Sequence, residues 1–414
     1  MRKLWLGLVV GLAAAGLARA VPEPPHPPGA SEAPQRVLVM LRLPPDHPRP
    51  GAAYGGAYGD NVSQAARRRA VAALARRQGL SVDDNWPMPL VGVDCFVLVV
   101  PADRSPEAVA AALSRQPGVV WSQPMNLYRA EGEARGAGPN DPLYNAQPAA
   151  REWRLAELHR TSTGAGVRVA VIDSRIDRTH PDLVGQVAIS ENFVVDRSGA
   201  PEQHGTNIAG IIAAKADNGI GIVGIAPGAR LMGLRACWPA PAAAGRPAAT
   251  LCDSLSLAKA LSFAIDHDAQ VINMSLAGAP DRLLGALVDV AERRRESVVA
   301  AYDRALPGGG FPASYPGVVA VAAEEAGPPP PGAYGAPGRD IPTTLPGGRW
   351  GVVSGGSFAA AHVTGLMALM RQRRRLGPLT LVALRGGDVD ACASLGTVTP
   401  SPPCDRQYTA ADHR

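Results

Sequence analysis

The amino-acid sequence predicts an α/β protein with a doubly wound, mostly parallel sheet, preceded by a small α+β domain. Four runs in the second part of the chain are almost wholly apolar, at residues 166–172, 271–274, 297–301 and 318–322. Such runs are typical of strands that are buried on both faces of a parallel sheet. Stretches with helical spacing alternate with these strands, at residues 206–215, 254–267 and 283–295. This alternation favours a doubly wound sheet, whose functional residues should lie beyond the carboxyl ends of its strands.

The composition is that of a globular protein. The chain has 414 residues, of which 46% are hydrophobic and 19% charged, so fibrous and charge-driven disordered classes are excluded. This length suffices for one large domain or two ordinary ones. Lys and Arg number 41 against 36 Asp and Glu, and this near balance argues against a surface dedicated to nucleic acid.

The first 20 residues have the pattern of a secretory signal peptide. Arg2 and Lys3 precede an apolar run at residues 4–17, and Ala18 and Ala20 supply the small residues of a cleavage site. A membrane anchor is the alternative, but a spanning helix needs roughly 20 apolar residues, more than this run provides. We therefore expect export to the periplasm or the extracellular space, without a stable membrane anchor.

A Pro-rich, polar leader at residues 21–35 separates this signal from the small α+β domain, which we place at residues 36–128. Two strand-and-helix units indicate that domain, with strands at residues 36–43, 91–100 and 118–122 and helices at residues 63–78 and 105–116. Residues 129–142 are Gly-rich and charged, which predicts an exposed linker. The large α/β domain would then occupy residues 143–414.

The five cysteines fit an oxidising compartment. Cys237 with Cys252, and Cys392 with Cys404, are close enough in sequence for each pair to close a small disulfide loop. Free buried thiols are the alternative. Cys95 is left as the odd cysteine, because it lies far upstream of the other four.

Three side chains occupy places where an α/β sheet presents catalytic groups. Asp173 ends the first buried strand, His204 precedes the helix at residues 207–214, and Ser357 follows glycines at the start of an apolar helix. A serine in that position has a backbone N–H that can bind an oxyanion. Each residue alone also fits a structural role, as a turn cap, a buried histidine or a helix N-cap. Together, in the order Asp, His, Ser, they match one of the known orders of a catalytic triad.

Three motifs around these residues resemble those of the subtilisin family (S8) of serine proteases. Between about residues 140 and 374 they comprise VAVIDS at 169–174 with HPDL at 180–183, HGT at 204–206 with AG at 209–210, and SG at 354–355 with SFAA at 357–360 and HV at 362–363. The resemblance implies a subtilisin-like fold and peptide-bond hydrolysis by acyl transfer. In that reaction Ser357 attacks the carbonyl, His204 carries the proton, and Asp173 holds the imidazole.

Residues 36–128 resemble the inhibitory propeptide of the same family. This implies a ferredoxin-like βαββαβ domain that assists folding, inhibits the enzyme and is removed by self-cleavage in the linker, taking Cys95 with it. The function implied is that of an exported serine endopeptidase made as a zymogen. Its partners would be polypeptide substrates and its own propeptide; no nucleic-acid partner is expected, and the enzyme would be a monomer.

The resemblance also implies binding residues. The edge that pairs with an extended substrate is matched by four consecutive residues, Ser275, Leu276, Ala277 and Gly278. Ala301 and Tyr302 match part of the first specificity pocket, where a bulky ring predicts that small substrate side chains are accepted, or none. No cofactor is required for the chemistry. A structural calcium ion is implied at Asp182 and Asn218, which are two of the roughly six to eight oxygen ligands that calcium takes.

Two residues depart from the family's pattern on the oxyanion side. Asp303 stands where an asparagine usually completes the oxyanion hole together with the backbone N–H of Ser357. Loss of one such donor costs on the order of 100- to 1000-fold in turnover. A protonated Asp303 would donate in its place, as a carboxylic acid in an apolar site can. Gly356 replaces a threonine and removes a second polar neighbour.

Two further departures flank the other members of the triad. Arg175 stands where the family has glycine, and Asn207 where a second histidine is usual. Arg175 would either pair with Asp173 and lower its basicity or point to solvent. A second interpretation therefore stays open, in which the chain is a catalytically impaired relative that acts as a peptide-binding or regulatory module.

Overall fold

A four-stranded antiparallel sheet with two helices forms the first part of the computed structural model, which describes residues 35–43, 61–130, 133–137, 143–195, 199–241 and 249–404. Its elements are β1 (Arg36–Arg42), α1 (Asn61–Arg77), β2 (Ser81–Met88), β3 (Val93–Val99), α2 (Pro106–Ser114) and β4 (Val119–Pro124). The element order βαββαβ and the strand order β2-β3-β1-β4 agree with the ferredoxin-like domain that the resemblance implies. The residue pattern alone misses β2, because it is a largely exposed edge strand.

The predicted signal peptide, and all but the last residue of the predicted leader, lie outside the described residues. Within the part of the chain that the structure describes, no helix is long and apolar enough to cross a membrane.

The two faces of this small sheet pack against different partners. Val39 lies in a buried cluster with Leu74 of α1 and Leu113 of α2. Met40 and Trp121, on the opposite face, belong to a second buried cluster that includes helices of the large domain. The small domain is therefore bound to the large one through an apolar sheet face.

Two strands lie in the segment predicted as a linker and just before it. They are β5 (Leu127–Ala130) and β6 (Glu133–Ala137), and each pairs with strands of the large domain. The Gly-rich composition does not indicate them, because their pairing partners lie far along the chain.

The remaining elements all belong to the large domain. In chain order they are α3 (Pro148–Glu152), α4 (Leu155–Thr161), β7 (Arg168–Asp173), β8 (Val187–Asn192), α5 (Gln203–Ala213), β9 (Arg230–Arg235), β10 (Cys237–Pro239), β11 (Thr250–Asp253), α6 (Ser254–Asp266), β12 (Val271–Met274), β13 (Leu276–Ala277), α7 (Arg282–Arg293), β14 (Ser297–Ala301), β15 (Val319–Ala323), β16 (Ala333–Ala336), β17 (Ile341–Leu345), β18 (Arg349–Ser354), α8 (Gly356–Arg373), β19 (Val382–Ala383), β20 (Val389–Asp390) and α9 (Ala391–Gly396).

A seven-stranded parallel sheet forms the centre of this domain, and it confirms the predicted doubly wound α/β class. The strand order is β16-β15-β14-β12-β7-β9-β8, and every neighbouring pair is parallel. Four of these strands, β7, β12, β14 and β15, coincide with the apolar runs of the sequence. The edge strand β8 does not, because it is only partly buried and lacks a continuous apolar run.

The helix α8 is buried along nearly its whole length, which explains its uniformly small and apolar sequence. A Cβ atom on Gly365 would lie 2.5 Å from the Cβ atom of Ile225, so only glycine allows this close packing. His362 in the same helix is fully buried, and burial lowers its pKa to about 4, so this histidine is neutral at physiological pH.

Both predicted disulfides are present. Cys237 and Cys252 lie directly opposite each other on β10 and β11, and Cys392 is bonded to Cys404. Cys95 is a free thiol buried in β3, and burial raises its pKa to about 12. The Cys95 thiol is therefore protonated and chemically inert in this state.

Candidate active site

Asp173 and His204 lie in contact at the carboxyl end of a central strand. Asp173 is the last residue of β7, and His204 is the second residue of α5. The Nδ1 atom of His204 is 2.9 Å from both Oδ1 and Oδ2 of Asp173, and the two residues are only 6% and 1% exposed. An imidazole whose Nδ1–H is held by a carboxylate keeps its other nitrogen as the proton acceptor, which is the tautomer that a general base needs.

This contact depends on a glycine beside His204. A Cβ atom on Gly205 would lie 2.1 Å from the carbonyl oxygen of Ser174, so no larger residue fits there. The Gly205 N–H donates to Ser174 Oγ at 2.9 Å, and the Ser174 N–H donates to Asp173 Oδ1 at 2.6 Å. The helix α5 can therefore approach the end of β7 closely enough for the histidine to reach the aspartate.

Ser357 is the second residue of α8. Gly355, directly before this helix, has φ 147° and ψ 164°, a conformation that favours glycine. Ser357 Oγ donates to the carbonyl oxygen of Ser275 at 3.0 Å, and Ser275 Oγ donates back to the carbonyl oxygen of Ser357 at 3.0 Å. The Ser357 hydroxyl therefore has to turn away from the Ser275 carbonyl oxygen before it can donate to an imidazole nitrogen.

The structure brings the three predicted residues together. The ring centroid of His204 lies 5.7 Å from that of Phe358, the residue next to Ser357. The backbone N–H of Ser357 lies in the first turn of α8, where helical N–H groups have no partner four residues back. The predicted nucleophile, the predicted base with its carboxylate and the predicted oxyanion donor are thus gathered at a single edge of the parallel sheet.

A strand of the same chain lies along the predicted substrate-binding edge. Leu276 and Ala277 form β13, which pairs antiparallel with β5 and has Leu276 opposite Ala130. On its other side, β5 pairs antiparallel with β11. The edge continues at Gly278, which exchanges two backbone hydrogen bonds of 2.9 and 2.8 Å with Phe311. Backbone pairing of this kind is how an extended peptide adds to a sheet edge.

A second strand of the predicted linker pairs with the strand that leads to Ser357. β6 pairs antiparallel with β18, and Ser354 stands opposite Glu133. Ser275, which is bonded to Ser357, directly precedes β13, and Ser354 lies three residues before Ser357. The pairings of β5 and β6 therefore reach segments that are bonded to Ser357 or lie directly before it.

Asp303 acts as an acceptor within its own turn. Its Oδ1 accepts the Ala305 N–H at 2.8 Å, and its backbone N–H donates to the Gly309 carbonyl oxygen at 3.0 Å. Tyr302 packs its ring against Gly309, where an added Cβ atom would lie 2.3 Å from the ring. The ring is half-buried beside Ala301, which is fully buried.

The sequence left two alternatives for Arg175, an ion pair with Asp173 or a side chain directed to solvent. Its guanidinium is half-buried near Gly199, and its Nε atom has no hydrogen-bond partner among the described residues. The recorded side-chain partners of Asp173 are instead His204 and Ser174. Among the described residues, Arg175 therefore makes no ion pair with Asp173, and its side chain is only partly exposed.

Asn207 has a structural contact. It is only 2% exposed, and its carbonyl oxygen accepts a hydrogen bond from Thr343 Oγ1 at 2.7 Å. This bond ties α5 to β17.

Asp182 and Asn218 are together, but their arrangement does not fit a calcium ion. Asp182 is fully buried, and its Oδ1 accepts the side-chain amide of Asn218 at 2.8 Å. Its Oδ2 accepts the indole N–H of Trp350 at 2.7 Å and the backbone N–H of Ile222 at 3.1 Å. Both carboxylate oxygens therefore face N–H donors. Within the described residues, no group of three or more His, Cys, Asp or Glu side chains could hold a metal ion.

Two charged residues beside the site belong to no motif recognised in the sequence. Arg235, at the end of β9, is 2% exposed, and its Nη2 atom lies 2.5 Å from Oε1 of Glu202. Glu202 directly precedes α5. The only sequence signal for this pair is that Glu202 stands two residues before His204.

Comparison with known proteins adds independent information. The family model described as Peptidase_S8, Subtilase family, matches residues 164–385. A thermophilic serine proteinase from Bacillus sp. (strain AK1) is 35% identical over 291 residues, which cover 65% of this chain and 67% of that protein. Thermitase from Thermoactinomyces vulgaris is 31% identical over 264 residues, which cover 57% of this chain and 86% of thermitase.

A solved structure is also similar. Fervidolysin from Fervidobacterium pennivorans, described as a keratinolytic enzyme related to subtilisin, matches with a TM-score of 0.64 and 22% identity. The match covers 88% of this chain and 61% of the fervidolysin chain. At this identity, the likeness shows the fold.

Proposed function

The chain belongs to the subtilase family of serine peptidases, and we propose that it is an exported serine endopeptidase made as a zymogen. The observation that carries this proposal is the contact between Asp173 and His204, 2.9 Å between carboxylate and Nδ1, beside Ser357 at the start of a buried helix. The signal-like N-terminus and the two disulfides support export.

The proposed reaction is acyl transfer. Ser357 Oγ attacks the peptide carbonyl after its hydroxyl rotates away from the Ser275 carbonyl, while His204 takes the proton and later returns it to the leaving amine. Asp173 holds the imidazole tautomer and stabilises the imidazolium that forms. The backbone N–H of Ser357 stabilises the oxyanion, together with the dipole of α8.

We also propose that residues 36–128 are an intramolecular inhibitor. Support comes first from a polar contact between the small domain and the start of α7. Gln123 Nε2 donates to Asp281 Oδ1 at 2.6 Å, and Gln123 Oε1 accepts the Leu283 N–H at 3.3 Å. Asp281 is itself the N-cap of α7, so Gln123 completes the cap of a helix in the large domain.

A second contact joins the small domain to α6. Lys259 Nζ lies 3.2 Å from Asp84 Oδ2 and 4.4 Å from the ring centroid of Trp86, and the lysine is only 8% exposed. Arg282 at the start of α7 lies 4.5 Å from the ring centroid of Trp121. Cation–π and ionic contacts therefore surround the apolar face that joins the two domains.

The strand pairings support self-cleavage near residue 131. β5 pairs with β13, the proposed substrate-binding edge, and β6 pairs with β18, the strand that ends three residues before Ser357. β5 ends at Ala130, opposite Leu276, and β6 begins at Glu133, opposite Ser354, so residues 130 and 133 both pair with segments next to Ser275 or Ser357. We propose that one of the peptide bonds joining these residues is the processing site.

A catalytically impaired peptide-binding or regulatory module is the second candidate function. The observation that favours it is the Asp303 carboxylate, which accepts a hydrogen bond where the oxyanion hole of the family has a donor. An ionised carboxylate at that place repels the developing oxyanion.

Labelling with a serine-directed phosphonate distinguishes the two functions. The secreted protein and its Ser357→Ala variant are incubated with the probe, and the modified residue is identified by mass spectrometry. The peptidase function predicts uptake at Ser357 in the wild-type protein and none in the variant. No uptake in either protein would favour the module.

A further inference from the structure

Residues on both sides of His204 are tied to the two residues that follow Asp173. On one side, the Gly205 N–H donates to Ser174 Oγ at 2.9 Å. On the other side, Glu202 Oε2 accepts the Arg175 N–H at 2.6 Å, and the Glu202 N–H donates to the Arg175 carbonyl oxygen at 2.8 Å. Three hydrogen bonds thus join the segments that carry the aspartate and the histidine, in addition to the contact between those two side chains.

Arg235 holds the Glu202 carboxylate in place. Its Nε atom lies 3.0 Å from Glu202 Oε2 and its Nη2 atom 2.5 Å from Glu202 Oε1, which is a bidentate ion pair. Arg235 stands directly opposite Asp173 in the pairing of β7 with β9, and the next N–H along, that of Ala236, donates to the Asp173 carbonyl oxygen at 2.9 Å. One carboxylate therefore connects the strand β9, the turn after β7 and the first turn of α5.

The direction of the Glu202 side chain separates this role from ordinary helix capping. Glu202 is the N-cap residue of α5, yet its side chain makes no capping hydrogen bond to that helix. The carboxylate turns instead toward Arg175 and Arg235. Because Glu202 lies two residues before His204, loss of its carboxylate would leave the Glu202 N–H bond to Arg175 but remove the link to Arg235, and so would loosen the start of α5 beside His204.

We propose that Glu202, anchored by Arg235, is a positioning residue for His204 in the peptidase reaction. This inference rests on the proposed function, in which His204 is the general base. A displacement of about 1 Å in a reacting group can cost on the order of 100-fold in rate. The proposed effect is therefore on turnover rather than on substrate binding.

Two variants of Glu202 test the proposal in the full-length chain as it is secreted. Glu202→Ala removes both carboxylate oxygens, the acceptors of the Arg175 N–H and of Arg235, and should lower kcat by about 10- to 100-fold while KM changes by less than about 3-fold. Glu202→Gln keeps an oxygen for the Arg175 N–H and should retain most of the turnover. Glu157→Ala, which removes a partly buried ion pair with Arg154 on α4, is the matched control and should leave kcat unchanged. Equal kcat in all four proteins would overturn the proposal.

A spectroscopic measurement covers the case in which the chain hydrolyses no peptide, and also separates positioning from loss of folding. The Nδ1 proton of an imidazole bonded to a carboxylate gives a far-downfield proton resonance, recorded here in the Ser357→Ala background. Glu202→Ala should shift or broaden this resonance, and Glu202→Gln and Glu157→Ala should leave it in place. An unshifted resonance in Glu202→Ala would overturn the proposal. If the resonance shifts in Glu202→Ala but the wild-type chain hydrolyses no peptide, the positioning role is supported and the proposed peptidase function is rejected.

Discussion

The Asp303 carboxylate accepts the backbone N–H of Ala305 at 2.8 Å. This hydrogen bond holds the side chain as an acceptor in its own turn, at the place where a donor to the oxyanion is expected. Among the departures from the family's pattern, this one bears most directly on the rate of the reaction.

Asp303→Asn should raise turnover of a peptide substrate at neutral pH by about 10- to 100-fold, since one oxyanion donor is worth roughly 100- to 1000-fold and the new amide must also reorient. Asparagine keeps an oxygen for the Ala305 N–H and adds two N–H donors. The measurement is kcat with the wild-type protein as reference. Asp390→Asn, which alters a similar cap at the start of α9, should not change kcat. An unchanged or lower rate in Asp303→Asn would count against the assignment of this turn to the oxyanion hole.

Lys259→Met should weaken the hold of the small domain on the large one. The variant loses an ion pair with the half-exposed Asp84 and a cation–π contact with Trp86, together about 1 kcal/mol, which is roughly 5-fold in affinity. Peptidase activity should therefore appear sooner after secretion, measured as the lag before hydrolysis of a peptide begins.

Lys215→Met is the control for this variant, because it removes a lysine outside that interface. It should leave the lag unchanged. A lag that is equal in Lys259→Met and the wild-type protein would argue that the contact between α6 and the small domain does not control inhibition.

Chelation should leave the melting temperature unchanged, within about 2 °C. Both oxygens of Asp182 are already engaged by N–H donors, among them the indole of Trp350 at 2.7 Å. Trp350→Phe should instead lower the melting temperature, since it leaves a buried carboxylate oxygen short of a donor at a cost of about 1–3 kcal/mol. A melting temperature that falls with chelator and is restored by calcium would establish the site that the resemblance implies.

Glu296→Gln should stabilise the protein at alkaline pH. Burial raises the pKa of Glu296 from 4.5 to about 8, and its Oε2 atom has no hydrogen-bond partner within the described residues. Between these pH values the folded protein binds a proton that the unfolded chain has released, so the stability contributed by this group falls as the pH rises from about 4.5 to about 8.

The gain in stability from Glu296→Gln should be present at pH 8.5 and absent at pH 4. Because the carboxyl is partly solvated, about 1 kcal/mol is expected at the alkaline end, or about 2–4 °C in melting temperature. Glu191→Gln, which removes an exposed carboxylate, isolates the general effect of losing one negative charge. A gain that is the same at both pH values would contradict the assignment.

Four of the five inner strands of the central sheet were predictable because they are buried on both faces. β7, β12, β14 and β15 therefore form continuous apolar runs that stand out in the sequence. The fifth, β9, was missed, since it has an arginine at each end and a glycine within it and so forms no long apolar run. β5 and β6 could not be predicted in this way, since their order comes from pairing with β11, β13 and β18 rather than from their own composition.

The residues of the candidate site that belong to sequence motifs could be predicted. Those that come together only through the packing of distant strands could not. Asp173, His204 and Ser357 stand at strand and helix ends that the sequence displays. The pairing of Glu202 with Arg235 depends on β9 lying beside β7, which the local sequence does not encode. The partial burial of Arg175 near Gly199 likewise depends on residues distant in sequence.

The N-terminal sequences of the secreted protein and of its Ser357→Ala variant test the central claim most directly. If Ser357 is the nucleophile of a self-processing peptidase, the wild-type protein should begin at residue 131, 132 or 133, and Ser357→Ala should keep the small domain covalently attached. The claim would be contradicted if both proteins began before residue 128, or if the variant lost the small domain as completely as the wild-type protein does.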